Sequence, residues 1–351
     1  MLARLLLIGM CLLMNVATAS PSLTTESELS DLGLSGLEAY WQQQAEQGIF
    51  NGFDGLALPY AKLINSQHQK AIILVNGRTE TYLKYQELAR DLFNNGYNVY
   101  LYDHRGQGLA PRLLQDTQIG YVADFDDYVQ DLEQFVQQVV LQDHVDSLYL
   151  LSHSMGGTIS ALWLSQTHVR LQAAALSSPM MGIYHKPLPR WLVSGLLSLF
   201  DNGCRWLGHT ACYAPGQANY ENVLFKDNVL THSEGRYQLF RDLYQQQPQV
   251  QLGGVSIHWL KQALLAGDKA IAQAGRITIP LLVLQAGNDV VVDNSAQNVF
   301  CQALAHCNGG QPKVINKASH ELFIERDNLR QPALEATLSF FEQYEKNSGK
   351  P

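Results

Sequence analysis

The stretch LLSHSMGGTIS, Leu150–Ser160, joins an apolar run to a glycine pair and a second apolar run. The first run predicts a buried strand, and GTISALWL after it predicts a helix. Ser154 lies at the turn between them, where small neighbours are needed because a sharp strand-to-helix turn crowds its flanks. Ser152 stands where the common pattern Gly-x-Ser-x-Gly has its first glycine, and we interpret it as a tolerated small residue. We therefore predict that Ser154 is a nucleophile, and a serine that only caps the helix is the alternative.

Two side chains with matching chemistry follow apolar strands later in the chain, first an acid and then a histidine. Asp289 comes directly after LLVLQAGN, and His320 comes directly after KVINKAS. A serine hydroxyl becomes a useful nucleophile when a base takes its proton and an acid holds that base. We predict that His320 is the general base and Asp289 the acid that orients it. Asp293 is the alternative acid, and Asp289 is preferred because it lies closer to the end of its strand.

The loop VNGRTE is predicted to stabilise negative charge that develops on an attacked carbonyl oxygen. Gly77 allows the backbone to approach the reacting group closely, and the backbone N–H groups of Arg78 and Met155 are the predicted donors of an oxyanion hole. An ordinary turn at Asn76-Gly77 is the alternative interpretation of this loop.

Other polar residues near these motifs are predicted to support the site. DHRGQG, Asp103–Gly108, follows a strand and reads as a shaped turn, because it lacks the full G-x-G-x-x-G pattern of a nucleotide site. His104, His153 and His258 are each predicted to be structural.

Strand-like and helix-like segments alternate along most of the chain. Apolar strand patterns occur in KAIILVNG, YNVYLYDHRG, SLYLLSHS, LQAAALSSP, IPLLVLQAGND and PKVINKASH. This alternation predicts an α/β fold with a mainly parallel central sheet and helices on both faces. It breaks between Met180 and about His258, so we predict one domain over residues 20–350 with a mainly helical lid insertion at about 181–260.

Size and charge exclude several classes of protein. The chain has 351 residues, 46% of them hydrophobic, which is enough to bury a large core. Its formal net charge is -8 and it contains no basic block, so we expect no nucleic-acid partner. No cluster of Cys and His suggests a metal site, and no cofactor is predicted. The sequence leaves the oligomeric state open.

The first nineteen residues are predicted to be a secretory signal peptide. They contain Arg4, an apolar run over Leu5–Val16 and the motif Ala17-Thr18-Ala19, which has the pattern of a cleavage site. An uncleaved membrane anchor is the alternative, but the run is shorter than the roughly 20 residues that span a bilayer. The expected location is therefore the periplasm or the outside of the cell, with or without membrane association.

Export would place the remaining cysteines in an oxidising compartment. They fall into two close pairs, and disulfides between Cys204 and Cys212 and between Cys301 and Cys307 are the preferred connectivity. Four buried thiols are the alternative.

With VNGRTE, DHRGQG, SHSMGG, LQAGND and ASHELF in this order, the chain resembles the α/β-hydrolase superfamily over about residues 45–345. The similarity is to its monoglyceride lipase and bacterial lysophospholipase branch, and NVLTHSEGRY and LGGVSIHWL look like the bacterial lysophospholipase lid. The resemblance implies a serine hydrolase that cleaves the acyl ester of a lysophospholipid, with Ser154, Asp289 and His320 as its triad. The chain departs from the usual pattern of this family at two positions. Asn76 stands where relatives often have histidine, and Leu109 stands where many have serine.

The lid contains RWLVSGLLSLFD, which predicts a helix that is apolar nearly all round. A lipid with one acyl chain needs an apolar groove, so Trp191, Leu196 and Phe200 are the predicted substrate-binding residues, and contact with a membrane surface is a second role. A helix that only packs the lid onto the core is the alternative. Monoglyceride lipase or general carboxylesterase activity, a proline-type aminopeptidase and a non-catalytic binding protein are the competing functions.

Overall fold

A computed structural model describes residues 21–183 and 190–345, so the predicted signal peptide lies outside the described residues. Within these ranges eight strands form one sheet: β1 (Ala45–Asn51), β2 (Ala57–Leu63), β3 (Lys70–Val75), β4 (Tyr97–Tyr102), β5 (Ser147–His153), β6 (Ala173–Ser177), β7 (Leu281–Ala286) and β8 (Lys313–Ile315). Their spatial order is β1-β2-β4-β3-β5-β6-β7-β8. In this spatial order, the six strands β4, β3, β5, β6, β7 and β8 pair in parallel. Strands β1 and β2 form an antiparallel edge beside β4. The predicted α/β fold with a mainly parallel sheet is confirmed.

The described ranges contain nine α-helices: α1 (Glu26–Gln44), α2 (Gln86–Asn94), α3 (Asp126–Gln138), α4 (Met155–Leu164), α5 (Arg190–Trp206), α6 (Glu234–Gln246), α7 (Ile257–Gln273), α8 (Asn294–Ala303) and α9 (Asp327–Gln343). The first begins with a reciprocal cap, in which Thr25 accepts a hydrogen bond from the backbone of Glu28 and the Glu28 side chain accepts one from Thr25. No helix in the described part of the chain is long and apolar enough to cross a bilayer.

The central strands bury side chains on both faces, because alternate residues of a strand point to opposite sides. In β3, Ile73 and Val75 join one apolar cluster, and Ile72 and Leu74 join another. Helices α3, α4, α7 and α8 cover the first face, and α1, α2, α6 and α9 cover the second. This double cover explains why the strand sequences are apolar throughout rather than alternating.

The chain between β6 and β7 contains α5, α6 and α7 together with irregular segments. Helix α6 packs against α1 and buries Tyr237, Phe240 and Leu243 in the main core, while α7 packs against α4. Helix α5 lies on α7 and contributes Leu197 to a smaller cluster. Two of these helices therefore belong to the body of the protein, and α5 with the irregular segment after it lies further out. The predicted lid bounds at about 181–260 stay a prediction.

Two disulfide bonds fasten local segments. Cys204 near the end of α5 is joined to Cys212, and Cys301 in α8 is joined to Cys307 before β8. This is the connectivity that the sequence spacing favours. The first bond closes the turn after α5.

Candidate active site

The turn between β5 and α4 presents Ser154 at the edge of the sheet. Ser154 has φ 51° and ψ -118°, a backbone conformation that non-glycine residues rarely adopt. The two glycines after it are required by close packing: a Cβ on Gly156 would overlap the carbonyl oxygen of Val75, and one on Gly157 would lie 2.5 Å from the Cβ of Pro179. The strained turn and its crowded flanks are the reasons for the motif SHSMGG.

Ser154, His320 and Asp289 form a continuous chain of hydrogen bonds. The Nε2 atom of His320 lies 2.9 Å from the Oγ of Ser154, and its Nδ1 lies 2.8 Å from the Oδ2 of Asp289. The serine is 8% exposed and the histidine 3%, so the pair is shielded but reachable. The structure thus brings together the three residues that the sequence predicts, in an arrangement that can move the serine proton to the imidazole.

The environment of Asp289 keeps its carboxyl group ionised. Burial by itself raises the pKa of Asp289, but the hydrogen bond from His320 and the backbone N–H groups of Val291 and Val292 lower that pKa below its usual value. The alternative acid, Asp293, instead caps the start of α8 by accepting hydrogen bonds from the N–H and hydroxyl of Ser295. The geometry therefore favours Asp289 over Asp293.

The loop after β3 carries the predicted oxyanion donors. Among the described residues, the backbone N–H groups of Arg78 and Met155 donate to no protein acceptor, which leaves both free for a ligand oxygen. Thr79 next to Arg78 has φ 59°, a second strained position beside the nucleophile. We propose this pair as the oxyanion hole, on the basis of its free donors and its position.

The DHRGQG turn holds the oxyanion loop in place. The side-chain amide of Gln107 donates to the carbonyl oxygens of Gly77 and Glu80, and its oxygen accepts the N–H of Thr79 at 3.3 Å. The buried Asp103 accepts the N–H groups of Tyr82 and Leu109. These contacts agree with the supporting role that the sequence predicts for this turn.

The other histidines have structural partners. The Nε2 of His104 lies 3.0 Å from the carbonyl oxygen of Asn76, and burial lowers the pKa of His104 to about 4, so the ring is neutral at pH 7. His258 lies between Asp201, 3.1 Å away, and the carbonyl oxygen of Ala123, 2.9 Å away.

A buried charged cluster beside the triad was not foreseen from the sequence. Glu80, His153 and Glu321 each place one potential ligand atom within 4.8 Å of the others. The ammonium of Lys84 donates to both carboxylates, and its Nζ lies 2.7 Å from Glu321. A cation of the protein itself is thus already bound between the two acids.

This cluster connects the oxyanion loop to the base. The carboxylate of Glu80 accepts the N–H of Gly77, and the ring of His153 packs 4.8 Å from the ring of His320. Burial raises the pKa of Glu80, but the neighbouring Lys84 and His153 outweigh burial and hold that pKa well below its usual value. The four-residue spacing between Glu80 and Lys84 is a signal for this ion pair in the sequence.

Ser154 opens into a largely apolar cavity of about 330 Å³, at the lower end of the range for small-ligand sites. The apolar side chains that line it are Met180, Ile183, Leu230, Val255, Trp259, Leu260, Val291 and Val292. Ser154 and His320 form part of the same wall, so a bound apolar chain lies beside the reacting groups.

Two of the three predicted groove residues of α5 do not line the described part of this cavity. Leu196 and Phe200 are 39% and 52% exposed and are absent from the described lining of the cavity, whereas the side chain of Trp191 lies outside the described residues. The reason is the orientation of α5, which buries Leu197 against α7 and turns its neighbours outward.

A strained elbow serine, a histidine and a buried aspartate on a doubly covered parallel sheet define the class of serine hydrolases with the α/β-hydrolase fold. The chain belongs to the family described as serine aminopeptidase, S33, whose family model matches residues 66–327.

The sequence is similar to curated bacterial proteins over nearly its whole length. It is 37% identical to lysophospholipase L2 of Escherichia coli strain K12 over 330 residues, which are 93% of this chain and 96% of that protein. It is 31% identical to the probable lysophospholipase L2 of Haemophilus influenzae, across 90% of this chain and 97% of that one.

Solved structures share the fold at low sequence identity. A soluble variant of the monoglyceride lipase of Saccharomyces cerevisiae aligns with a TM-score of 0.66 and 17% identity, covering 86% of this chain and 96% of that chain. The monoacylglycerol lipase of Paleococcus ferrophilus aligns with a TM-score of 0.62 and 17% identity, over 82% of this chain and 99% of that chain.

Proposed function

We propose that this protein is a lysophospholipase that hydrolyses the one remaining acyl ester of a lysophospholipid through an acyl-enzyme on Ser154. The observation that carries the proposal is the hydrogen-bonded chain from Ser154 through His320 to Asp289 at the mouth of an apolar cavity. The choice of lysophospholipid rests on the two relatives with that name, which this chain covers almost completely.

In the first half-reaction, the Oγ of Ser154 attacks the ester carbonyl carbon while His320 takes the serine proton. The carbonyl oxygen becomes an oxyanion, which accepts hydrogen bonds from the backbone N–H groups of Arg78 and Met155. The bond to the glycerol oxygen then breaks, and His320 returns its proton to that oxygen. The acyl group remains on Ser154. The glycerophosphodiester leaves with its glycerol oxygen protonated to a hydroxyl group.

In the second half-reaction, water takes the place of the leaving alcohol. His320 removes a proton from the water as its oxygen attacks the acyl carbon, and the same backbone donors stabilise the second oxyanion. The bond to Ser154 breaks, the serine recovers a proton from His320, and a fatty acid is released. Asp289 stays ionised throughout and stabilises the imidazolium that forms twice in the cycle.

The apolar lining and the size of the cavity fit a substrate with one chain. Its apolar lining removes a hydrocarbon chain from water, which stabilises the bound state by about 0.8 kcal/mol for each buried CH₂. At about 330 Å³ the cavity is small for a ligand site. One acyl chain is therefore the better match than the two chains of an intact phospholipid.

A substrate panel separates this proposal from its competitors. We expect purified protein to hydrolyse an oleoyl lysophospholipid at least about tenfold more efficiently than monoolein, a difference in transition-state binding of about 1.4 kcal/mol. Release of oleate is measured for both lipids, and release of amine from a proline amide is measured in parallel. Faster turnover of monoolein would make the protein a monoacylglycerol lipase, and turnover of the amide alone would make it an aminopeptidase. Turnover of none would support a binding protein.

We also propose that α5 contacts the lipid surface from which substrate is taken. Its outward side and the turn after it expose Leu199, Phe200, Trp206 and Leu207, with Trp206 87% exposed. Aromatic and aliphatic side chains on one exposed helix are the composition of interfacial helices. The Cys204–Cys212 disulfide ties the last turn of α5, which carries Trp206, to the segment that follows, and this bond supports a fixed presentation of these side chains.

Vesicle binding checks the role of α5. We expect the double variant Leu199→Ser, Phe200→Ser to lose most of its binding to phospholipid vesicles in a sedimentation assay, because about 1.5–3 kcal/mol of apolar contact is lost per large side chain. Hydrolysis of a soluble short-chain ester is expected to stay at the wild-type rate. Leu141→Ser, an exposed apolar position on the body of the protein, is the matched control. Equal vesicle binding by the double variant and the wild type would rule out this role.

A further inference from the structure

A second cavity of about 410 Å³ lies next to the cavity at Ser154 and shares a wall with it. The residues common to both linings are Arg78, Thr79, Glu80, Gln217, Leu230 and Glu321. The second cavity differs from the first in carrying charged and aromatic side chains from α6, including Arg241 and Tyr244. Because the two cavities meet beside the reacting groups, parts of one substrate molecule can occupy both.

Arg241 is a buried cation with no carboxylate partner in the described chain. Its side chain is 9% exposed, and its guanidinium donates to the hydroxyls of Tyr220 at 3.1 Å and Tyr237 at 2.9 Å. It stacks on the rings of both tyrosines and of Phe240, and its Nε has no acceptor among the described residues. These contacts hold the guanidinium in one orientation, but none of them neutralises its charge. Buried charges are normally paired, so the position calls for an anion from outside the protein.

Arg78 is a second guanidinium without a carboxylate among the described residues. One of its terminal nitrogens donates to the carbonyl oxygen of Gly253 at 2.7 Å, and its Nε is buried without an acceptor in the part of the chain that the structure describes. The guanidinium lies 5.2 Å from the ring of Trp259, which lines the apolar cavity. Arg78 thus stands at the junction of the two cavities and has a free donor.

The two guanidinium groups are held on connected elements. The hydroxyl of Tyr244, one turn after Arg241 on α6, donates to the carbonyl oxygen of Thr79 at 2.9 Å, and Thr79 adjoins Arg78. The acids in this cavity do not compete for the arginines: Glu80 and Glu321 are bound to Lys84, and Glu221 is exposed to solvent.

We infer that Arg241 and Arg78 bind the phosphodiester of the substrate's head group in this second cavity. The inference rests on the proposed function, since it takes the ester at Ser154 as the reacting bond. In a lysophospholipid only the glycerol backbone separates that ester from the phosphate, so an acyl chain in the apolar cavity directs the phosphate to the adjoining charged one. Arginine suits this role because its planar donors match phosphate oxygens. A monoglyceride has no anion to offer, and the cavity therefore selects the phospholipid.

A change of specificity tests the inference. In Arg241→Met, a side chain of similar length still packs on the aromatic rings but carries no charge. We expect the ratio of kcat/KM for an oleoyl lysophospholipid to kcat/KM for monoolein to fall about ten- to a hundredfold. Arg276→Met, which removes an exposed guanidinium outside both cavities, is the matched control and is expected to keep the wild-type ratio.

A competition experiment on the wild-type protein does not depend on the folding of a variant. Glycerophosphoethanolamine, which has the head group without the chain, is expected to inhibit monoolein hydrolysis competitively at concentrations where glycerol and inorganic phosphate do not. Equal inhibition by inorganic phosphate, or none by the phosphodiester, would overturn the assignment of a head-group site. So would an unchanged ratio in Arg241→Met. A wild-type protein that hydrolyses neither lipid would contradict the proposed function itself, and that result is distinct from the others.

Discussion

Replacing Ser154 with alanine is expected to abolish ester hydrolysis, with kcat falling by about 10⁶-fold, the scale seen when a triad nucleophile is removed. The Oγ of Ser154 is the atom that the Nε2 of His320 reaches at 2.9 Å, and alanine leaves no atom there to form the acyl-enzyme. Steady-state release of oleate from the lysophospholipid measures the loss. Labelling by a fluorophosphonate provides a second readout, because the probe reacts only with an activated serine.

Ser152→Gly is the matched control for this variant. The Oγ of Ser152 is buried without a hydrogen-bond partner among the described residues, so its removal leaves no partner unsatisfied. Glycine at this position also restores the common form of the turn. We expect kcat close to that of the wild type and unchanged labelling. Full activity in Ser154→Ala would reject the nucleophile, and loss of activity in Ser152→Gly would show that the first small position has a chemical role.

Replacing Asp289 with asparagine is expected to lower kcat by about 10⁴-fold while leaving the protein folded. The amide would present an N–H group where the Nδ1–H of His320 now donates to the carboxylate at 2.8 Å, which favours the wrong tautomer of the ring. The imidazolium formed during each half-reaction would also lose its counter-charge. Oleate release against pH measures the effect, and thermal unfolding checks that the fold survives.

The corresponding control is Asp293→Asn. Asp293 caps α8, and asparagine is an equally good N-cap residue, so both the stability and the activity are expected to stay near the wild-type values. Comparable losses in the two variants would mean that the geometry has assigned the acid wrongly. Activity retained in Asp289→Asn but lost in Asp293→Asn would exchange their roles.

The parts of the site that depend on local sequence could be predicted. Ser154 lies between a recognisable strand and helix, and the glycines after it are demanded by contacts with neighbouring backbone. Asp289 and His320 each follow a strand, and the carboxyl ends of parallel strands meet at one edge of the sheet. Chain order and strand boundaries were therefore enough to bring these three residues together.

The parts that depend on long-range packing could not be predicted. Lys84 binds Glu321 across 237 residues of sequence, and no local pattern indicates such a pair. Arg241 has no carboxylate partner among the described residues, and the sequence could not show this, because it depends on which acids lie near Arg241 in space. For α5, the apolar pattern ran all round the helix, so the sequence did not show that Leu197 faces inward and Phe200 outward.

The absence of a side chain on Gly156 lets the backbone of the elbow rest directly on the carbonyl oxygen of Val75, at the end of the strand that leads into the oxyanion loop. The nucleophile and that loop consequently meet through a main-chain contact, in addition to the side-chain contacts that Gln107 and Glu80 make with the loop. Substitutions that reshape either cavity can therefore leave the distance between Ser154 and the oxyanion loop unchanged. Substrate preference can therefore change through α6 and the segment before it, which line much of the second cavity, without a change in the reacting groups.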